Sequence, residues 1–156
     1  MKVPILNKSQ NPLPQYETEG AAGMDIRAML NEPVRLLPGD RALIPTGLHI
    51  QLPHVTSLKC GDGSEIPVAF EADVRGRSGN FKKLGLTVHL GTIDDDYRGD
   101  VGVLVMNTSA EGIEINNGDR IGQLIINLVV KIEWDPKDKL EETARGEQGF
   151  GHTGTK

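Results

Sequence analysis

Cysteine is nearly absent. The chain of 156 residues holds one, Cys60, so it can build neither an internal disulfide framework nor a cysteine-rich zinc site. A lone thiol of this kind reads as a buried or half-buried, inert group. Long apolar runs are missing too. No stretch approaches the roughly 20 residues that a membrane-spanning helix needs, and the opening MKVPILNKSQNP lacks the unbroken apolar segment of a secretory signal. The expectation is a cytoplasmic protein with no membrane partner (or one inside a host cell, if viral). The N-x-S matches at Asn7 and Asn107 then carry no glycosylation signal, because that modification requires secretion. Positive charge is in deficit: the net charge is −5, which argues against bulk binding to nucleic acid or an anionic membrane. A small phosphorylated ligand stays open, since it needs only a local cluster of donors. The four histidines, His49, His54, His89 and His152, are too far apart to suggest a catalytic zinc. No Walker-type glycine-rich phosphate loop occurs, and helical periodicity is scarce.

Turn signals occur at short intervals instead: LPGD near 37–40, IPTG at 44–47, CGDGSE at 60–65 and NNGD at 116–119. Between them lie short runs rich in β-branched residues, the pattern of an all-β sandwich or barrel. The size is that of one domain spanning 1–156. In VGVLVMN, Val101, Val103 and Val105 point one way, and Leu104 and Met106 the other. A small sandwich needs one apolar face per strand. The second face must be covered either by the chain's own loops or by another subunit. SGNFKKLG reads as one short helix, with Ser78 at the N-cap and Gly85 as the stop. DPKDKLEET reads as another short turn. Residues 55–68, overlapping HVTSLKCGDGSEIP (54–67), read as an inserted hairpin around Gly61, Asp62 and Gly63. The tail, RGEQGFGHTGTK, reads as a mobile arm over 144–156, either solvated or ordered by a ligand with Phe150 as its lid.

Four internal segments can carry chemistry. In GTIDDDYRGD (91–100) three adjacent carboxylates repel one another. On an extended strand Asp94 and Asp96 share a face. The stretch is either an acidic surface turn or a general base beside a flat ring, Tyr97. VRGRSGNFKK (74–83) offers guanidinium forks from Arg75 and Arg77 and the Ser78 hydroxyl, at a helix start that suits phosphate. Its alternative is a basic surface loop paired with acids. GDRIGQLI (118–125) sends up the Gln123 amide. AAGMDIRA (21–28) carries one acid, Asp25, either a turn-former or a group that steers hydrated Mg²⁺.

Taken in order, AAGMDIRA, RGRSGNFKKLG, GTIDDDYRGD, GDRIGQLI and RGEQGFGHTG resemble the motifs of the trimeric dUTPase (dUTP pyrophosphatase) family over nearly the whole chain. The resemblance implies an all-β subunit, a β-clip or jelly-roll-like distorted barrel with one short helix and a flexible C-terminal strap. It implies a homotrimer with three sites between subunits, and Mg²⁺-dependent hydrolysis of dUTP to dUMP and diphosphate. That reaction keeps uracil out of DNA and supplies dUMP for thymidylate synthesis. By resemblance, Asp94 activates the attacking water, and Tyr97 packs on the deoxyribose. Arg77, Ser78, Gly79 and Gln123 meet phosphates and water, and Asp25 reaches the metal through water. Gly91, Thr92 and Ile93 lie in the strand-turn that reads uracil through backbone groups. From the tail, Arg145, Gly151, His152 and Thr153 meet phosphate and Phe150 covers the base. The chain departs from the family pattern at four places. His152 stands where serine is common, Gly76 where proline is common, Asn80-Phe81 where aliphatic residues are usual, and the 55–68 segment is longer than the usual turn. Two other readings remain: a dCTP deaminase-like enzyme on the same fold, or a jelly-roll module that binds a protein partner through 55–68.

Overall fold

Short β-branched runs punctuated by turn formers fold as the alternation expects. The computed structural model describes residues 1–54 and 56–147. Within them lie twelve strands and one helix. The strands are β1 (Ile5–Asn7), β2 (Met24–Arg27), β3 (Val34–Leu36), β4 (Arg41–Ile44), β5 (Leu48–Ile50) and β6 (Thr56–Lys59). They continue with β7 (Glu65–Arg75), β8 (Leu86–Val88), β9 (Gly91–Ile93), β10 (Val103–Asn107), β11 (Ile113–Ile115) and β12 (Arg120–Val130), and the helix α1 is Ser78–Leu84. Every strand pairing is antiparallel. The strands form β1-β5, β4-β10-β8 and β3-β11 sheets, and a five-stranded sheet β2-β12-β7-β6 with β9 added on β7. The protein is thus all-β and jelly-roll-like with a single short helix, and its sheets stay separate rather than closing into one ring.

The core lies between these sheets. Ile26 of β2, Val74 of β7, Leu124 of β12 and Val103 and Val105 of β10 are all nearly inaccessible, together with Ile44, Leu86 and Ile115. Strand β10 alternates strictly. Val103 and Val105 face inward, while Leu104 is 45% and Met106 38% exposed. Leu43 of β4, paired opposite Leu104, is 63% exposed. Among the described residues, no loop covers the second apolar face.

Helix α1 begins differently from expectation. Its N-cap is Arg77, extended at φ −86° and ψ 124°, so Ser78 is the first helical residue and not the cap. Arginine has no acceptor to offer a cap; its side chain is held elsewhere, as described below. Gly85 does stop the helix, in the left-handed region at φ 70°. Its N–H donates to the Phe81 carbonyl at 2.9 Å.

Residues 56–68 form the two arms of a hairpin, with Thr56 opposite Val68 and Lys59 opposite Glu65; Val55 lies outside the described residues. At its tip Asp62 accepts hydrogen bonds from the Ser64 hydroxyl and N–H at 2.7 and 2.9 Å. These bonds hold its carboxyl below the usual carboxylate range. Cys60 is half-buried and unpaired.

The two N-x-S matches have a structural meaning. Asn7 accepts from the Ser9 N–H and hydroxyl and donates to the Asn11 carbonyl. Asn107 accepts from the Ser109 N–H and hydroxyl and donates to the Glu111 carbonyl. Both are Asx turns that end a strand, each with a serine two residues on. Asn107 is fully buried, and it also donates to the Leu36 carbonyl at 2.9 Å, tying β10 to β3.

Candidate active site

Two groups of chemistry-bearing residues form, and the long strand β7 connects them. The first is the acid turn. Strand β9 ends at Ile93, so Asp94, Asp95 and Asp96 sit in a turn and strand alternation does not govern them. Their separate surroundings relieve the expected crowding. Asp94 is exposed. Asp95, with its side chain only 12% exposed, pairs with His54 Nδ1 at 3.1 Å. The turn closes with the Tyr97 N–H donating to the Asp94 carbonyl at 3.2 Å. The Tyr97 hydroxyl donates to the Asp100 carbonyl at 3.1 Å, leaving the ring about half exposed. The Asp100 carboxylate accepts from the N–H groups of Thr46 and Gly47 at 3.0 and 2.8 Å, anchoring the turn to the IPTG segment. Gly91, Thr92, Ile93, Asp94, Tyr97 and Leu104 line an open pocket of about 220 Å³.

The second group is cationic. Asp25 on β2 stands across from Gln123 on β12, which stands across from Arg75 on β7. The Asp25 carboxylate is only 9% exposed. One oxygen accepts from Arg77 Nε at 2.9 Å and from Gln123 Nε2 at 3.4 Å; the other accepts from an Arg120 terminal nitrogen at 3.1 Å. Arg77, Asn80 and Arg120 line a second open cleft of about 390 Å³. Arg75 is diverted from it, pairing with Asp73 on its own strand at 2.8 Å. The acids that engage Arg75 and Arg77 are thus Asp73 and Asp25, and not the acid turn, while Arg120 also pairs with Glu17 at 3.4 Å. Ser78 and Gly79 open α1, where the first backbone N–H groups of any helix lack intrahelical partners.

The register separates the two groups. Ile93 pairs with Ala72 and Gly91 with Val74, so Asp94 leaves β9 toward the Glu71 end of β7, while Arg77 follows its far end. At about 3.3 Å per residue, roughly 15–20 Å of backbone distance lies between them within one chain. Arg145 is exposed near the end of the described segment. Phe150, Gly151, His152 and Thr153 lie outside the described residues. Asn80, Asp100 and Arg120 are the site residues that motif reading did not single out. Asp100 stood in the quoted acid stretch, and its spacing gave no sign of its link to residues 46 and 47.

A larger cleft of about 460 Å³ is lined mainly by apolar residues, Met1, Val3, Ile5, Leu13 and Ile126 among them, with Tyr16. Among the described residues no group of three His, Cys, Asp or Glu side chains is arranged to hold a metal. No described helix is long and apolar enough to cross a membrane.

Fold and site together define an all-β, jelly-roll-like scaffold with an acid turn in one open pocket and a guanidinium cluster lining another. The dUTPase family model matches residues 9–154, and the chain belongs to the dUTPase family. It is 44% identical to a deoxyuridine 5'-triphosphate nucleotidohydrolase of Finegoldia magna, over an alignment covering 99% of each chain. It is 46% identical to that of Desulfotalea psychrophila, over 91% of this chain and 87% of the relative. Among solved structures, the dUTPase of Staphylococcus bacteriophage 80alpha with dUpNHpp superposes with a TM-score of 0.82 at 23% identity, covering 98% of each chain. The dUTPase of S. aureus phage phi11 gives 0.74 at 21% identity, covering 92% of this chain and 100% of that one. At these identities the structures establish the likeness of fold.

Proposed function

We propose that this protein hydrolyses dUTP to dUMP and diphosphate. The observation that carries the reading is the family match over 9–154 together with an exposed acid, Asp94, beside a half-exposed ring in an open pocket. Asp94 takes a proton from a water as its oxygen attacks the α-phosphorus. The bond to the bridging oxygen breaks and diphosphate leaves. Tyr97 packs on the deoxyribose and excludes a 2′-hydroxyl. Gly91, Thr92 and Ile93 supply backbone groups to uracil. Arg77, Ser78, Gly79 and Gln123 meet the phosphates, and Arg145, Phe150, Gly151, His152 and Thr153 close the site from the C-terminal arm, 144–156. The reaction keeps uracil out of DNA, and its product feeds thymidylate synthesis.

The residues present suit a phosphate-held, hydrated Mg²⁺ better than a protein cage. Asp25 is the acid nearest the guanidinium cluster, and three donors occupy about three of the roughly four acceptor sites of a carboxylate, leaving room for one water. Bound there, Mg²⁺ would neutralise the departing diphosphate. A phage phi11 relative is described with a structural Mg(II) ion.

The assembly we propose is a homotrimer of single-domain chains. The 15–20 Å separation supports it, because an acid and a phosphate cluster that far apart cannot both reach one α-phosphate within a chain. The open Leu43, Leu104 and Met106 face borders the Asp94 pocket and is suited to a second copy.

One observation favours a second role. Strand β6 is an edge strand exposed along its length, with Leu58 and Ile66 side by side at 47% and 39% exposure. An edge of that kind suits a protein partner at 55–68. A version with the hairpin shortened, unchanged in turnover but no longer retaining a partner, would support it.

The direct test is to incubate the protein with dUTP and Mg²⁺ and follow diphosphate, with dCTP and ammonia release as the parallel assay for deamination. Diphosphate from dUTP alone, abolished by EDTA, supports the reading. Ammonia from dCTP would replace it with the deaminase.

A further inference from the structure

An arginine that is to meet phosphate needs a fixed guanidinium direction, and although the Arg77 carbonyl is fixed by the Asn80 and Phe81 N–H groups at 3.0 and 3.1 Å, those bonds do not hold its long side chain. Arg77 follows Arg75-Gly76, and Gly76 has an ordinary φ with only van der Waals neighbours around the position a Cβ would take, the nearest being Val88 at 3.5 Å. Glycine there adds freedom without steric need. The Arg77 side chain, 29% exposed, is instead held in a closed ring of four hydrogen bonds. Arg77 Nε donates to Asp25 Oδ1 at 2.9 Å, and an Arg120 nitrogen donates to Asp25 Oδ2 at 3.1 Å. The Asn80 amide completes the ring. Its oxygen accepts from Arg77 at 3.3 Å, and its NH₂ donates to the Arg120 backbone carbonyl at 2.8 Å.

We propose that Asn80 is a positioning residue, which fixes the Arg77 guanidinium for the substrate's phosphates by tying it to the start of β12. The proposal rests on the phosphate-binding reading of Arg77 given above. A guanidinium has five N–H donors in one plane. Asp25 engages one edge and Asn80 one further N–H, so the remaining donors point in a single set direction. Leucine of similar size would fill the same space and leave the guanidinium free to turn about its bond to Asp25. Asparagine also joins elements that are distant in sequence: α1 to β12 through its own side chain, and β2 through Arg77.

The test compares binding of non-hydrolysable α,β-imido-dUTP, by calorimetry, to wild type, Asn80→Leu, Asn80→Asp, Arg77→Gln and the double variants. Asn80→Leu is expected to weaken binding about 5- to 10-fold, the net worth of one ordinary hydrogen bond, with kcat within about twofold. Asn80→Asp is expected to weaken it more, because a carboxylate competes with phosphate for the same guanidinium. On the Arg77→Gln background neither change should matter further. Equal losses with and without Arg77 would show that Asn80 merely supports the fold, and unchanged affinity in both Asn80 variants would equally overturn the proposal. If Asn80→Leu fails to fold, the isosteric Asn80→Asp carries the comparison alone. The Arg77 Nε–H resonance separates this proposal from the functional reading. It should be sharp in wild type and broadened in Asn80→Leu without any nucleotide. That result would stand even if dUTP proved not to be the substrate.

Discussion

Asp94 and Asp95 are neighbours in sequence with different partners, and that difference separates the tasks proposed for them. Asp95 is committed to His54, and the Asp95 carbonyl accepts from Arg98 at 2.6 Å. Asp94 accepts only through its backbone carbonyl among the bonds described, and it is an exposed residue that lines the pocket. Asp94→Asn should therefore lower kcat by about 10²- to 10⁴-fold, the span of general-base assistance. Affinity for the imido analogue should change little. Asp95→Asn should cost far less in turnover; equal losses from the two would remove the distinction. Asp62 offers a separate check by titration. Its carboxyl is held low by the Ser64 bonds, so the sign follows from linkage. The stabilisation is fully present above the ordinary unfolded carboxylate value and is lost as pH falls through the lower folded value. The Ser64 amide resonance should report the turn loosening only in that acid window, with the Asp94 pocket unaffected. Asp94, Arg77 and Ser78 could be singled out in the sequence as candidates because each sits in a compact motif. Asn80 and Arg120 could not, since their partners lie 40 and 95 residues away, and no local spacing encodes such pairings.

At the scale of elements, the turns around the site depend on positions where a side chain has no room. At Gly99 a Cβ would collide with the Tyr97 hydroxyl and ring. Gly99→Ala should push the ring off its Asp100 bond. We expect KM for dUTP to rise several-fold and discrimination against UTP to fall, read from the ratio of kcat/KM values. If Tyr97 has no part in sugar recognition, the ratio will stay fixed. Gly85 is a structural counterpart. Its φ is left-handed, and the Ser109 backbone nitrogen lies 2.9 Å from the place a Cβ would take, so Gly85→Ala combines strain with collision. A loss of about 1–3 kcal/mol in urea unfolding is expected. The helix stop was legible because glycine marks it. The cap was not, because a serine beside an arginine looks like the better cap until Asp25 and Asn80 are seen to hold the arginine. The alternation of β10 was read correctly because that strand is regular. The same alternation failed at Asp94–Asp96 because β9 ends one residue earlier, at Ile93.

For the whole molecule, the decisive feature is an apolar face that the described residues leave uncovered. Leu43, Leu104 and Met106 form an open apolar face on a protein with an otherwise dense core, and that face reaches the rim of the Asp94 pocket. Further apolar groups stand out along the segment after β12: Ile132 is 65% and Trp134 87% exposed. The doubly apolar VGVLVMN already raised the question of a covering subunit; which elements meet there depends on the three-dimensional pairing of β4 with β10, and so was beyond sequence reading. Burying such a face against other copies is favourable at about 25 cal/mol per Å² of apolar area. A carboxylate placed in the middle of it would have to shed its water without a partner, at a cost of several kcal/mol. Leu104→Glu should therefore leave the subunit folded, since the residue is solvent-facing within one chain, but shift the mass in solution from that of the proposed trimer to that of a monomer. Turnover should fall with it, because the acid of one copy would no longer be held near the phosphate cluster of another. Trp134 is the only tryptophan, so its emission should move to longer wavelength on the same change if assembly covers that segment. A Leu104→Glu protein that is monomeric by light scattering and still hydrolyses dUTP at the wild-type rate would refute the shared site, because the register would then have to bring Asp94 and Arg77 together within one chain across roughly 15–20 Å.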